Sequence, residues 1–218
     1  MSRETVGLRP DLLAYVDAHS EPPTDVQESL IAATSTLGDV SMMQIGRAQG
    51  AFTEVLVRAL APGLAVEVGT FTGYSALAIA KGLPADGRLI CCDVSTEWTD
   101  IARPHWEQAG VADKIELRIG PALDTLRAMP RDIAIDFAFI DADKVSYVDY
   151  YEELLARLSP RGLIAVDNTL WSGAVVDAAD DSRDTVAIQA FNDHVARDPR
   201  TVAALGTIGD GVTLITHR

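Results

Sequence analysis

Apolar positions along this chain follow two periods, and the change between them marks the elements. Residues 11–19 and 24–37 carry apolar side chains at helical spacing, separated by Glu21-Pro22-Pro23. Residues 48–60 repeat Phe52, Val55, Leu56 and Ala59 on one helical face, and Pro62-Gly63 ends the stretch. From Leu64 onward, short apolar runs alternate with longer amphipathic stretches. The runs 64–68, 89–93, 115–119, 135–140 and 163–166 read as buried strands. Between them, 74–81, 96–109, 122–129 and 147–158 read as helices. Repeated βαβ units predict an α/β fold with a parallel, doubly wound sheet. A helix over 185–196 follows, and then the alternation breaks. Runs 201–205 and 212–216 are joined by a turn containing Gly209-Asp210-Gly211, a connection short enough to require an antiparallel hairpin.

Two predicted strands end in acids. Asp141-Ala142-Asp143-Lys144 follows 135–140, and Asp167-Asn168 follows 163–166. Ligands of open α/β sheets bind outside the carboxyl ends of the strands, so Asp141, Asp167 and Asn168 are expected at one point. These offer only oxygen, which suits Mg²⁺, Mn²⁺ or Ca²⁺ better than soft metals. Three protein oxygens leave roughly three octahedral positions for water and substrate, and two adjacent ring hydroxyls would fill two of them. Lys144 is placed to act as general base. Trp171, just beyond the second tail, is a candidate wall of an aromatic pocket. The plainer readings stay open: strand-end acids as helix caps, Lys144 as a surface lysine and Trp171 as core. Met42 and Met43 read as part core and part cavity wall, while Trp98, Trp106, Cys91 and Cys92 read as structural.

The first strand leads into Glu67-Val68-Gly69-Thr70-Phe71-Thr72-Gly73-Tyr74-Ser75 and then a helix. Such a turn lets a ligand approach the backbone and the helix N-terminus. Its spacing is Gly-x-x-x-Gly, without the Gly-x-Gly-x-x-Gly of dinucleotide folds or the Gly-Lys-Ser/Thr of a phosphate loop. Glu67 ahead of the glycines repels a pyrophosphate and suits an amino or sulfonium group. Asp93, ending the next strand, is placed to bond a ribose diol. S-adenosylmethionine fits a ligand with a ribose, a positive charge and no diphosphate; NAD and ATP do not.

Composition narrows the partners. The net charge of −14 argues against nucleic acid, whose binding is driven by clustered Lys and Arg. At 218 residues, 48% hydrophobic, the chain suits one globular domain over 1–218, with 1–45 as a helical lead-in. No apolar stretch approaches the ~20 residues of a membrane helix. The start of the chain has no secretory h-region, and Cys91 and Cys92 are adjacent and badly placed to bridge, so a reduced, cytoplasmic setting is expected. The histidines, His19, His105, His194 and His217, are scattered, which disfavours a zinc site or a His-based triad.

Several segments together resemble the cation-dependent O-methyltransferase family that includes caffeoyl-CoA and catechol O-methyltransferases, in its small bacterial form. They are 67–75, Leu83-Pro84-Ala85-Asp86-Gly87, Ala109-Gly110-Val111-Ala112, 139–144 and Asp167-Asn168-Thr169-Leu170-Trp171-Ser172-Gly173, with Asp198-Pro199-Arg200 and Asp210-Gly211 near the end. The resemblance implies a seven-stranded class I methyltransferase sheet, Rossmann-like, with a terminal antiparallel hairpin. It implies that Ile45, Glu67, Gly69, Thr70, Ser75, Asp93 and Ala122 line the S-adenosylmethionine site, with Asp141 and Asp143 beside the cofactor. It also implies Asp141, Asp167 and Asn168 as ligands of Mg²⁺, catalytic roles for Lys144 and Asp141, an acceptor pocket at Trp171 and Met43, and a homodimer. The expected reaction is methyl transfer to one hydroxyl of a vicinal dihydroxy-aromatic: a catechol, flavonoid or hydroxycinnamate. Competing readings are a metal-independent methyltransferase on the same fold, an NAD-linked oxidoreductase and a non-catalytic binding module. Ser172 stands where the plant caffeoyl-CoA enzymes have Asn, so their ester recognition does not transfer.

Overall fold

The computed structural model describes residues 9–218. Its strands are β1 (Leu64–Val68), β2 (Arg88–Asp93), β3 (Ile115–Ile119), β4 (Ile135–Ile140), β5 (Leu158–Val166), β6 (Thr201–Gly206) and β7 (Val212–His217). They form one sheet in the order β3-β2-β1-β4-β5-β7-β6. The pairs from β3 to β5 are parallel, and β7 lies antiparallel between β5 and β6. The helices are α1 (Pro10–Ala18), α2 (Asp25–Ser35), α3 (Arg47–Leu60), α4 (Tyr74–Gly82), α5 (Thr96–Gln108), α6 (Ala122–Ala128), α7 (Tyr147–Leu155) and α8 (Arg183–Arg197).

The strands read as continuous apolar runs because both faces of the sheet are covered. Alternate side chains leave a strand on opposite sides. Val66, Val68, Ala138 and Ile140 therefore pack with Tyr147, Tyr151, Leu154 and Phe191. Their neighbours Ala65, Phe137 and Phe139 pack on the other face with Val57, Leu77, Ile79 and Trp106. The chain leaves β1 for β2 on one side and returns to β4 on the other. That reversal opens a crevice at the carboxyl ends of β1 and β4, where doubly wound sheets bind their ligands.

One boundary differs from the sequence pattern. Residues 156–158 were expected to close a helix, yet α7 stops at Leu155 and β5 begins at Leu158. The expected strand, 163–166, left residues 159–162 outside it. Instead the register shifts between Ile135 and Phe137, and a Cβ at Gly162 would lie 2.8 Å from the Ile135 carbonyl oxygen. The strand passes this irregular stretch because Gly162 lacks that atom, while Pro160 and Arg161 stay at the surface.

The terminal hairpin is tied to the helical layer by Asp198, which accepts from the Tyr151 hydroxyl (2.7 Å) and from Arg200 Nε and Nη2 (2.9 and 2.6 Å). The Arg200 guanidinium holds the Asp198 carboxyl below its ordinary value. A depressed acid stabilises the fold above its unfolded pKa and loses that contribution as pH falls toward its folded one. The stability gap between the native chain and an Asp198→Asn variant should therefore narrow below about pH 4. Urea unfolding at stepped pH tests this, and a gap that held constant down to acid would count against the pairing.

Candidate active site

The crevice is built on one close approach. Gly69, at φ +90, follows β1, and a Cβ there would lie 1.9 Å from the Asp141 carbonyl oxygen. Only glycine fits, since the backbone is left-handed and the neighbouring chain occupies the side-chain position. The strand ends are then stitched together: Gly69 N–H donates to Cys92 O (2.9 Å), Asp141 N–H to Val68 O (2.8 Å) and Asp167 N–H to Ile140 O (2.9 Å). Asp93 locks the turn from its far side. Its Oδ2 accepts from the Thr70 and Phe71 amides (2.9 and 2.8 Å), and its Oδ1 accepts from Ser95 N–H (2.7 Å).

A cavity of about 730 Å³ lies over these ends, within the size range of small-molecule sites. Gly69, Thr70, Ser75, Asp93, Ile45 and Ala122 line one part of it; Asp141, Asp143, Lys144, Asn168, Trp171 and Met43 line another. Glu67 and Asp167 stand behind the wall, both 0% exposed. Glu67 faces inward from β1, and neither carboxylate oxygen has a hydrogen-bond partner. Burial drives its pKa up to about 7, against the opposing influence of Ser75, Thr70 and Cys91. Met42 and Met43 are exposed residues of the wall rather than core. Trp98, expected to be structural, also lines the cavity, edge-on to Phe71 with ring centroids 5.1 Å apart. Phe71, from within the glycine turn, joins the wall, as do Gln44, Tyr150 and Asp184, whose spacing in the chain carries no motif that would have placed them there.

The two acidic tails meet around the Lys144 ammonium. Its Nζ donates to Asp141 Oδ1 (3.0 Å), Asn168 Oδ1 (2.7 Å) and the Tyr147 hydroxyl (2.7 Å). Trp171 brings its ring centroid to 5.5 Å from the same nitrogen. Asp167 accepts Asn168 N–H on Oδ1 at 2.8 Å, while its Oδ2 is buried without a partner. Burial raises the Asp167 pKa, the Asp141 charge adds to the shift, and the Asn168 amide and Gln49 oppose it. Gln49 reaches this point from α3 and is itself buried, with neither amide atom paired. Asp143 accepts from the Ser146 and Tyr150 hydroxyls and so serves its own turn.

The terminal hairpin supports the second tail. Asn168, Trp171 and Ser172 hold left-handed backbone angles (φ 59, 48 and 53), which costs on the order of 1 kcal/mol each without compensation. Asp210 supplies that compensation. Its Oδ1 accepts Ser172 N–H at 2.5 Å, its Oδ2 accepts Asn168 Nδ2 at 3.4 Å, and its backbone carbonyl accepts Leu170 N–H at 3.0 Å. By taking the amide nitrogen of Asn168, Asp210 turns the amide oxygen toward Lys144. Elsewhere, among the described residues, Glu152, His194 and Asp198 also converge. Arg200 donates to both carboxylates there, so that group is an ion-pair network.

Two outcomes follow. Asp210→Ala removes the carboxylate that accepts from the Ser172 amide and Asn168 Nδ2, and urea unfolding should show a loss of about 1–3 kcal/mol. An unchanged midpoint would rule out the clamp. For Glu67, the folded pKa of about 7 lies above its ordinary 4.5, so the folded state holds the extra proton. Stability should fall as pH rises through that window, by an upper bound of roughly 3 kcal/mol, and level off above it. Glu67→Gln should abolish that slope, and parallel pH profiles for the two proteins would exclude it.

A family model for O-methyltransferases matches residues 17–218. Over 209 residues the chain is 40% identical to a probable caffeoyl-CoA O-methyltransferase 2 of Dictyostelium discoideum, covering 94% of this chain and 90% of that protein. The O-methyltransferase from Bacillus cereus, solved in complex with SAH, superposes with a TM-score of 0.85 at 30% identity, over 94% of this chain and 96% of that one. TomG from Streptomyces achromogenes, involved in tomaymycin synthesis and solved with SAM, superposes with a TM-score of 0.82 at 27% identity, over 94% of each chain. Likeness of this extent, on a sheet whose switch point opens into a cavity of cofactor size, places the chain in the O-methyltransferase family, as an S-adenosylmethionine-dependent class I enzyme.

Proposed function

We propose that the enzyme transfers the methyl group of S-adenosylmethionine to one hydroxyl of a vicinal dihydroxy-aromatic, with a divalent cation held by Asp141, Asp167 and Asn168. The observation that carries this reading is the convergence of hard oxygens on a positive charge. Asp141 Oδ1 and Asn168 Oδ1 already bind the Lys144 ammonium, and Asp167 Oδ2 lies behind them unpartnered. A buried carboxylate oxygen without a partner is costly, and a cation would answer it. All donors are oxygens, so Mg²⁺ is the expected ion, with Mn²⁺ or Ca²⁺ as substitutes. When bound, the cation would lower the pKa of a phenolic hydroxyl and hold its oxygen.

The residues of the chain supply the rest. Glycine at 69 lets the cofactor lie against the backbone, and Asp93, at the end of β2, faces its ribose. Ile45, Thr70, Ser75 and Ala122 complete the cofactor side, and Asp141 and Asp143 stand beside it. Trp171 offers a flat apolar face to the acceptor ring, and Met43 covers the same mouth. Holding the two reactants in line removes most of the entropic cost of meeting. The phenolic oxygen then forms a bond to the methyl carbon, the carbon–sulfur bond breaks, and S-adenosylhomocysteine leaves. The phenolic proton leaves to a general base, for which Lys144 Nζ stands at the oxygen cluster, so the products are the methyl ether, S-adenosylhomocysteine and one proton. The relative named for caffeoyl-CoA favours the same acceptor ring, because a caffeoyl group carries two adjacent hydroxyls.

Chelation with EDTA should stop turnover of catechols, and added Mg²⁺ should restore it. Asp141→Asn should lower kcat/KM on the order of 100-fold or more while leaving S-adenosylhomocysteine binding by calorimetry close to normal. Undiminished turnover in EDTA would refute the metal role.

A further inference from the structure

Gln49 carries a buried amide that the fold leaves without a bond. It lies in α3, 2% exposed, and neither its Oε1 nor its Nε2 has a hydrogen-bond partner. Close packing fixes its place. At the next residue a Cβ on Gly50 would lie 2.8 Å from the Tyr74 ring, so α3 is pressed against α4 at this level. One turn on, the Thr53 hydroxyl donates to the Gln49 carbonyl oxygen at 2.9 Å, so the backbone is served from within the helix and the side chain is not.

That side chain stands against Asp167, which is itself fully buried at the end of β5. Asp167 Oδ1 accepts the Asn168 amide, and Oδ2 is the oxygen left open. Burial and the Asp141 charge push the Asp167 carboxyl up, while the Asn168 amide, the Gln49 side chain and the Lys144 charge pull it back. A donor and an acceptor, both buried and both unpaired, are thus brought together from elements more than a hundred residues apart.

A core position has no use for such a group. An unpaired buried amide destabilises the fold, and an apolar side chain of the same length would fill the space without that cost. The residue type suits the neighbour of a cation ligand. A lysine or arginine here would neutralise Asp167 and compete with a cation, and another acid would add to two carboxylates already crowded. A neutral amide can hold a carboxylate oxygen through one N–H and leave its charge for an ion, because that oxygen accepts at more than one lone pair.

Resting on the divalent-cation reading above, we propose that Gln49 is a positioning residue for Asp167, its amide holding the carboxylate in the orientation that ligates the cation. Gln49 does not line the cavity, so it acts on the tightness of the ion and not on the acceptor or the cofactor.

The test titrates Mn²⁺ into the full-length protein saturated with S-adenosylhomocysteine and reads the free ion by electron paramagnetic resonance. Gln49→Met keeps the length and nearly the volume of the side chain and removes the amide. Its Mn²⁺ affinity should fall about tenfold or more, the usual consequence of losing a group that orients a metal ligand. Its affinity for S-adenosylhomocysteine by calorimetry should stay close to native, and the metal-free protein should melt no lower than native. Gln49→Leu, with a different shape, should lose Mn²⁺ affinity in the same way. Lower melting with unchanged Mn²⁺ affinity would mark a purely structural residue and overturn the proposal. A loss of Mn²⁺ affinity matched by an equal loss of S-adenosylhomocysteine binding would overturn it too, as a general distortion. Either result leaves the cation reading standing. Failure of the native protein to bind Mn²⁺ would instead bring down that reading, and this proposal with it.

Discussion

The site depends on the missing side chain at Gly69. The ends of β1 and β4 come so near that the Asp141 carbonyl occupies the place of a Cβ, and the turn must take a left-handed angle to pass. That approach brings the backbone of the cofactor turn and the first acidic tail into a single cavity. A residue with a side chain would push the strands apart, and the hydrogen bond from Asp141 N–H to Val68 O would be lost with them. Backbone packing thus sets the distance between the glycine turn and the first acidic tail before any side chain acts.

Crowded negative charge is the consequence, and the chain answers it group by group. Asp93 is matched by amides, Asp143 by hydroxyls, and Asp141 with Asn168 by the Lys144 ammonium. The carboxylate oxygens left unmatched are those of Glu67 and Asp167 Oδ2, both buried. Unmatched carboxylates are expensive where water is excluded, so they persist where a ligand completes them. The divalent cation proposed above would offer Asp167 the positive charge that it lacks.

The antiparallel hairpin has a part in this arrangement. Asp210 in its turn holds the strained stretch 168–172 and orients the Asn168 amide, while Gly211 lets that stretch pass at a distance no side chain allows: a Cβ there would meet Leu170 at 2.6 Å. Tyr151, Asp198 and Arg200 fix the other end of the hairpin to the helical layer. The last elements of the chain therefore secure a tail contributed by a strand some forty residues earlier.

Local pattern was enough for much of this. Continuous apolar runs marked the strands of a doubly buried sheet, acids after those runs marked ligand-facing ends, and Gly-x-x-x-Gly after an acid distinguished the turn from a dinucleotide motif. These features are legible because strand burial and chain reversal act over a few neighbouring residues. The strand through Ser159-Pro160-Arg161-Gly162 was not legible, since its pairing depends on a register shift in β4. Nor could the chain alone show that Glu67 turns into the core, that Trp98 forms part of the cavity, or that Gln49 and Asp210 stand beside the oxygen cluster. Those residues lie on separate elements, and their meeting is set by strand order and by the angle at which helices cross the sheet. The sequence by itself determined which residues could bind charge; the tertiary structure decided which of them are answered from within the protein and which still face the cavity.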